Sequence, residues 1–283
     1  MRSIDQLSMT LADTVSYTTS KVGLVLADQK QGTCWSFSKN VMVTNAHVVS
    51  DSLSDECKVR VNGRLIHGSI VGFDERTDIA VIRTKEALAP LELKLDARVG
   101  EICLAVGNPF GNVNSVSMGV VSGLHRSIES GKSVLEDLVQ TDAAINDGIS
   151  GGPLVAVDGR VIGMCTLSRS QAEAIHFAVS SQTIRFVVPI LLKRRKVVYG
   201  KIGALLAEEV DLDGAIGVRV VRPLGTESAL RVRDLIVGIE DMVIDRRIDV
   251  LLAMATFSSQ RSFSVSVRRD GLVRKLKVVN RRD

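Results

Sequence analysis

Apolar positions along this chain fall in short runs divided by turn residues. Over the first 180 residues they cover 22–27, 41–44, 57–61, 79–82, 102–106, 116–121, 138–141, 160–167 and 175–179. Val and Ile dominate them, and β-branched side chains suit a pleated, half-buried surface. Asn62-Gly63, Gly107-Asn108-Pro109, Ser130-Gly131 and Asp158-Gly159 supply the turns between runs. Short strands at this regular spacing predict two packed β-barrels or a sandwich. Helical spacing occurs at 4–13, and again at 181–193 in spite of Pro189, where the pre-proline position predicts an irregularity.

The pattern then restarts. Strands are expected at 202–207, 215–221, 235–239, 262–268 and 272–278, with a helix at 248–255. Asp270-Gly271 between the last two strands is a hairpin signal. A break near residue 198 divides the chain into 1–198 and a smaller β-rich module at 199–283. The length of 283 residues agrees with two domains.

Composition narrows the class. Hydrophobic residues make up 45% and charged residues 24%, which excludes a disordered or collagen-like chain. Aromatics are only 4%, so the core must be Val, Leu, Ile and Ala. Net charge is +4, with +1 on residues 1–198 and +3 on the remainder, too little to argue for a nucleic-acid partner. The run Lys193-Arg194-Arg195-Lys196 reads as a helix end entering a solvated linker. Cys34, Cys57, Cys103 and Cys165 form no CxxC pair, so neither a metal site nor a cofactor is expected. No signal-like apolar stretch opens the chain and no run approaches the ~20 residues that cross a bilayer, so the expectation is a cytoplasmic chain without a membrane partner.

Three residues suggest chemistry. Ser150 lies in Asn146-Asp147-Gly148-Ile149-Ser150-Gly151-Gly152-Pro153. Its glycines permit a tight turn that exposes the hydroxyl and aims the N–H groups of Gly148 and Ser150 at one spot. His47, in Thr44-Asn45-Ala46-His47-Val48-Val49, could act as general base. Asp78 opens the apolar run Ile79-Ala80-Val81-Ile82, a costly place for a charge without a partner. Orienting an imidazole would explain it. The order His, Asp, Ser is that of the chymotrypsin-type triad. His67 and His125 have no such constellation around them.

These blocks, with Thr77-Asp78-Ile79-Ala80-Val81, Gly107-Asn108-Pro109-Phe110-Gly111 and Thr141-Asp142-Ala143-Ala144-Ile145-Asn146, resemble the HtrA (Deg-type) serine proteases. The resemblance implies a mainly β fold, with a chymotrypsin-like double β-barrel followed by a PDZ domain at 199–283. It implies a catalytic triad of His47, Asp78 and Ser150, and an oxyanion hole from Gly148 and Ser150. Ala144, Ile145 and Phe177 would line the S1 pocket. With Ala143 also there and no Asp at its floor, cleavage after small or medium aliphatic residues is expected. Arg126 matches an activation-loop residue. Ile202, Gly203, Leu251 and Met254 would bind peptide in the PDZ domain. The implied activity is ATP-independent hydrolysis of unfolded or misfolded proteins in quality control, with capture of peptide C-termini. A proteolytically weak holdase or peptide-binding scaffold is the alternative. A homotrimer is implied too, although residues 1–40 offer only Tyr17, Trp35 and Phe37 for aromatic contacts. Three departures stand out. Ile149 replaces a usual Asn and could bias the loop, Asp147 brings a negative charge towards the hole, and His176 replaces a usual Gly and could narrow the substrate groove.

Overall fold

The computed structural model describes residues 2–28, 30–108, 115–130, 133–168, 174–210, 216–224 and 228–280. Pro109-Phe110-Gly111, Gly131 and the start of the strand expected at 215 lie outside these residues. The chain divides into two compact units, Met1–Lys196 and Val197–Asp283.

The first unit contains two closed six-stranded barrels. One is formed by β1 (Val22–Ala27), β2 (Lys30–Ser38), β3 (Val41–Thr44), β4 (Glu56–Val61), β5 (Arg64–Asp74) and β6 (Ile79–Thr84). The other is formed by β7 (Ile102–Gly107), β8 (Ser115–Ser130), β9 (Ser133–Thr141), β10 (Pro153–Ala156), β11 (Val161–Ser168) and β12 (His176–Ser180). Taken in chain order, both barrels follow the neighbour sequence first, second, third, sixth, fifth, fourth. No sequence repeat announces this. Closure leaves no open sheet edge in either barrel. Each is filled by small and β-branched side chains, Val25, Val59 and Ile82 in the first and Val121, Leu154 and Ile162 in the second. The low aromatic content is therefore a property of two narrow barrel interiors.

Among the described residues four helices accompany the strands, and α1 (Arg2–Thr19) is longer than its apolar spacing suggests. Its second half is docked, because Thr14 Oγ1 donates to the Val157 carbonyl at 2.6 Å. The helix is followed by Lys21, whose ammonium stands over the Tyr17 ring. A single turn, α2 (Ala46–Val49), follows β3. The first unit closes with α3 (Ser181–Arg194), capped by Ser180, whose hydroxyl accepts from the Thr183 N–H. Pro189 sits inside α3 on its exposed side, so the carbonyl deprived of its bond is that of exposed Arg185, within reach of water. The basic run after α3 is not wholly solvated. Arg195 turns left-handed and bonds the Val71 carbonyl and Asp55.

The second unit is a sheet of order β13-β14-β15-β17-β18, formed by β13 (Ala204–Val210), β14 (Ile216–Pro223), β15 (Leu235–Ile239), β17 (Ser262–Arg269) and β18 (Leu272–Val279). The short β16 (Met242–Val243) pairs with β15, and α4 (Arg247–Thr256) covers a core of Val218, Ile236, Phe263 and Val265. The β17–β18 turn has positive φ at both Asp270 and Gly271, as a two-residue hairpin of the right twist requires.

Candidate active site

His47 lies in α2, two residues after Asn45, whose amide donates to the Asp78 carbonyl at 3.1 Å. Asp78 stands at the head of β6 with φ of 55° and is 6% exposed. Its buried carboxylate is fully engaged. Oδ1 accepts the His47 N–H at 3.0 Å, Oδ2 lies 2.9 Å from His47 Nδ1, and Thr166 Oγ1 donates to Oδ2 at 2.5 Å. A carboxylate beside Nδ1 fixes the proton there and leaves the lone pair on Nε2. The imidazole is 46% exposed, so that lone pair is accessible from solvent. Lys30 braces the turn from outside, donating to the His47 carbonyl at 3.0 Å and pairing with Asp51.

Ser150 comes from the second barrel, in the loop between β9 and β10. Its hydroxyl donates to the Thr166 carbonyl at 3.2 Å; among the described residues it makes no bond to His47. Thr166 thus touches both Asp78 and Ser150, through its side chain and its backbone. Thr33 on β2 holds the loop from the other barrel. Its N–H donates to the Ser150 carbonyl at 2.8 Å and its hydroxyl to the Gly148 carbonyl at 2.6 Å, while that hydroxyl accepts from the Asn108 N–H at 2.9 Å. Pattern reading missed both threonines; each is one polar residue in a buried strand, with no local signal of a partner far along the chain.

The loop itself is constrained by close approach. A Cβ at Gly151, where φ is +85°, would fall 2.1 Å from the Thr33 carbonyl oxygen. The N–H groups of Ile149, Gly151 and Gly152 are bonded to Asn146, Cys165 and Ile149 carbonyls. Those of Gly148 and Ser150 have no acceptor among the described residues, leaving two donors available to an oxyanion. Ile149 is buried in the second barrel with Ala143, Ile145 and Leu154, so it anchors the loop rather than straining it. Asp147 is exposed.

The other predicted residues separate. Ala144 is exposed and its carbonyl is held by Ser117 at 2.6 Å, whereas Ile145 is core. Phe177 is buried and alternates with His176 and Ala178 along β12, on the strand face opposite theirs. Arg126 is exposed in β8 opposite Leu138, its guanidinium against Gly123. Ile202 and Met254 belong to the core of the second unit; Leu251 is half-buried, and Gly203 has φ of 72° and bonds the Leu224 N–H. His125, expected to be alone, is not. Its Nδ1 lies 2.7 Å from buried Asp137, which also accepts from Ser180 and Thr183 at the start of α3. All four cysteines are free and buried. Burial pushes the Cys57 and Cys103 thiols up to about 11, and Cys34 and Cys165 further still, so none serves as a nucleophile at neutral pH.

Comparison with known proteins agrees with this geometry. Residues 32–164 match the family described as trypsin-like peptidase domain. A probable periplasmic serine protease do/HhoA-like of Haemophilus influenzae is 32% identical over 83% of this chain and 54% of its own length. A probable periplasmic serine endoprotease DegP-like of Bartonella henselae is 30% identical over 85% of this chain and 51% of its own. The chain therefore spans about half the length of these curated relatives. Among solved structures, an HtrA-type protease AlgW with tripeptide superposes with a TM-score of 0.77 at 27% identity, covering 96% of this chain and 98% of that one. The expectation of a cytoplasmic chain is contradicted by these relatives, which are named as periplasmic proteins. The double barrel, the sequence matches and the superposition agree, and the chain belongs to the HtrA (Deg-type) family of trypsin-like serine proteases.

Proposed function

We propose that this chain is a serine endopeptidase in which Ser150 attacks the peptide carbonyl. His47 takes the serine proton through Nε2 and returns it to the leaving amine. Asp78 holds the imidazole in the required tautomer and stabilises its protonated form. The N–H groups of Gly148 and Ser150 receive the oxyanion. The observation that carries this reading is the Asp78–Thr166–Ser150 connection, which ties the acid of one barrel to the serine of the other. Rotation of the Ser150 hydroxyl from Thr166 towards His47 completes the array when substrate binds.

The proposal extends to substrate and partner. Substrates are unfolded or misfolded proteins, hydrolysed without ATP. Residues 199–283 act as a PDZ domain. In its favour, β13 is the edge strand of its sheet and α4 packs beside it, so an extended peptide can add along β13 with its C-terminus near Ile202 and Gly203 and its side chains towards Leu251 and Met254. Arg126 couples that binding to the nucleophile loop, in a homotrimer. An Arg126→Ala variant should then lose stimulation of casein cleavage by added C-terminal peptides; full stimulation removes that role.

The test of the main proposal is labelling by a fluorophosphonate probe together with casein degradation. Both should be present in the wild type and absent in Ser150→Ala. A second reading, a holdase with little proteolysis, is favoured by the Ser150 hydroxyl facing Thr166. Equal casein turnover by wild type and Ser150→Ala, with aggregation suppressed by both, would select it.

A further inference from the structure

We propose that the His125–Asp137 pair is a positioning device for Arg126, holding that residue where it couples peptide binding to the Ser150 loop. This rests on the reading of Arg126 as the coupling residue.

The two strands that carry the pair change register on either side of Arg126. Gly123 pairs with Gln140, Arg126 with Leu138, and Ile128 with Leu135. Three steps along β8 face two on β9, and the next two on β8 face three on β9. The first is a bulge of β8 and the second a bulge of β9, and a bulge re-aims the side chains beside it. His125 and Asp137 stand in these bulges with φ of 55° and 56°, a left-handed backbone that is uncommon outside glycine. One precedes Arg126 and the other precedes Leu138, so the Arg126–Leu138 pair is framed by two kinks. His125 Nδ1 lies 2.7 Å from Asp137 Oδ1, which ties one kink to the other. Neither kink carries a glycine, and the side-chain bond supplies what local preference does not.

The tie is anchored and it leads to the nucleophile. Asp137 is 6% exposed, and its Oδ2 accepts from Ser180 and, at 3.0 Å, from Thr183 at the start of α3. Asp137 is thus fixed to the body of the second barrel, and His125 carries that anchor across to β8. Arg126 is exposed, and its guanidinium fills the space over Gly123, where a Cβ would fall 2.7 Å from Nε. From Leu138, β9 runs on to Thr141, where the loop to Ser150 departs. A shift at the bulges therefore moves Arg126 on one strand and reaches the nucleophile loop along the other.

The test measures casein cleavage by the full chain, alone and with a pool of decapeptides ending in a free Val, Leu or Phe. Stimulation is the ratio of the two rates, taken for wild type, Arg126→Ala, His125→Gly and His125→Gln. Glycine accepts the left-handed backbone, so His125→Gly removes the tie without straining the chain. His125→Gln returns a side-chain donor. Stimulation should vanish or fall about tenfold in His125→Gly, the worth of one hydrogen bond to a charged group, and recover in part in His125→Gln. A pair with a structural role alone would lower the denaturation midpoint of His125→Gly and leave its stimulation intact, which overturns the proposal. Equal loss in His125→Gly and His125→Gln overturns it as well. A wild type without stimulation, or full stimulation in Arg126→Ala, overturns the coupling role of Arg126 and this proposal with it. Stimulation lost in Arg126→Ala and kept in His125→Gly overturns this one alone.

Discussion

At the scale of the residue, two threonines carry what the motifs leave unexplained. Thr166 Oγ1 is one of the donors to the buried Asp78 carboxylate, and a hydrogen bond to a charged group is worth about 1.5–3 kcal/mol. Thr166→Val should therefore lower kcat by roughly ten- to a hundredfold with KM little changed, read from steady-state cleavage of a fluorogenic peptide. Thr33→Val removes the bonds that the buried Thr33 hydroxyl makes to the Gly148 carbonyl and the Asn108 N–H. The expected cost is about 1–3 kcal/mol, visible as a lower denaturation midpoint. Weaker fluorophosphonate labelling should accompany it, because the same hydroxyl shapes the loop that carries Ser150.

At the scale of the element, legibility followed local chemistry. Strand β15 shows in its apolar run, and the β17–β18 hairpin in Asp270-Gly271. Strands β2 and β5 were not visible. Five consecutive residues of β2, Gly32 to Ser36, are buried, and Gly, Thr and Ser among them hide the apolar signal. β5 carries His67, Gly68, Ser69 and Gly72 between its apolar positions. Both are strands because barrel closure supplies their partners, which no propensity within the segment reveals. The β9–β10 loop is set by close packing against β2. Gly151→Ala places a side chain at positive φ and drives Cβ into the Thr33 carbonyl. It should cost at least about 2 kcal/mol and abolish labelling, measured by denaturation and probe reaction.

At the scale of the whole molecule, the division into two units makes a thermodynamic prediction. In the second unit Asp234 is 1% exposed and accepts two bonds from Arg269, at 2.6 and 2.8 Å, and one from the Arg231 N–H. Removing one partner of such a pair leaves a buried charge and costs about 3–5 kcal/mol. Asp234→Ala should lower one of two calorimetric transitions and leave the other, and Ser150 labelling, unchanged. A single transition that moves as a whole would mean that the units unfold together.

The sequence alone determined the strand-rich class, the two-part division and the order His47, Asp78, Ser150, because periodicity, turn residues and short motifs are local properties of the chain. Tertiary structure decided the rest. Thr166 meets Asp78 across 88 residues and Thr33 meets Gly148 across 115. The matching order of the two barrels, the His125–Asp137 pair and the unpartnered nitrogen of His176 likewise exist only once strands close on one another. A buried polar side chain is defined by the partner that satisfies it, and closing the barrels is what supplies or withholds that partner.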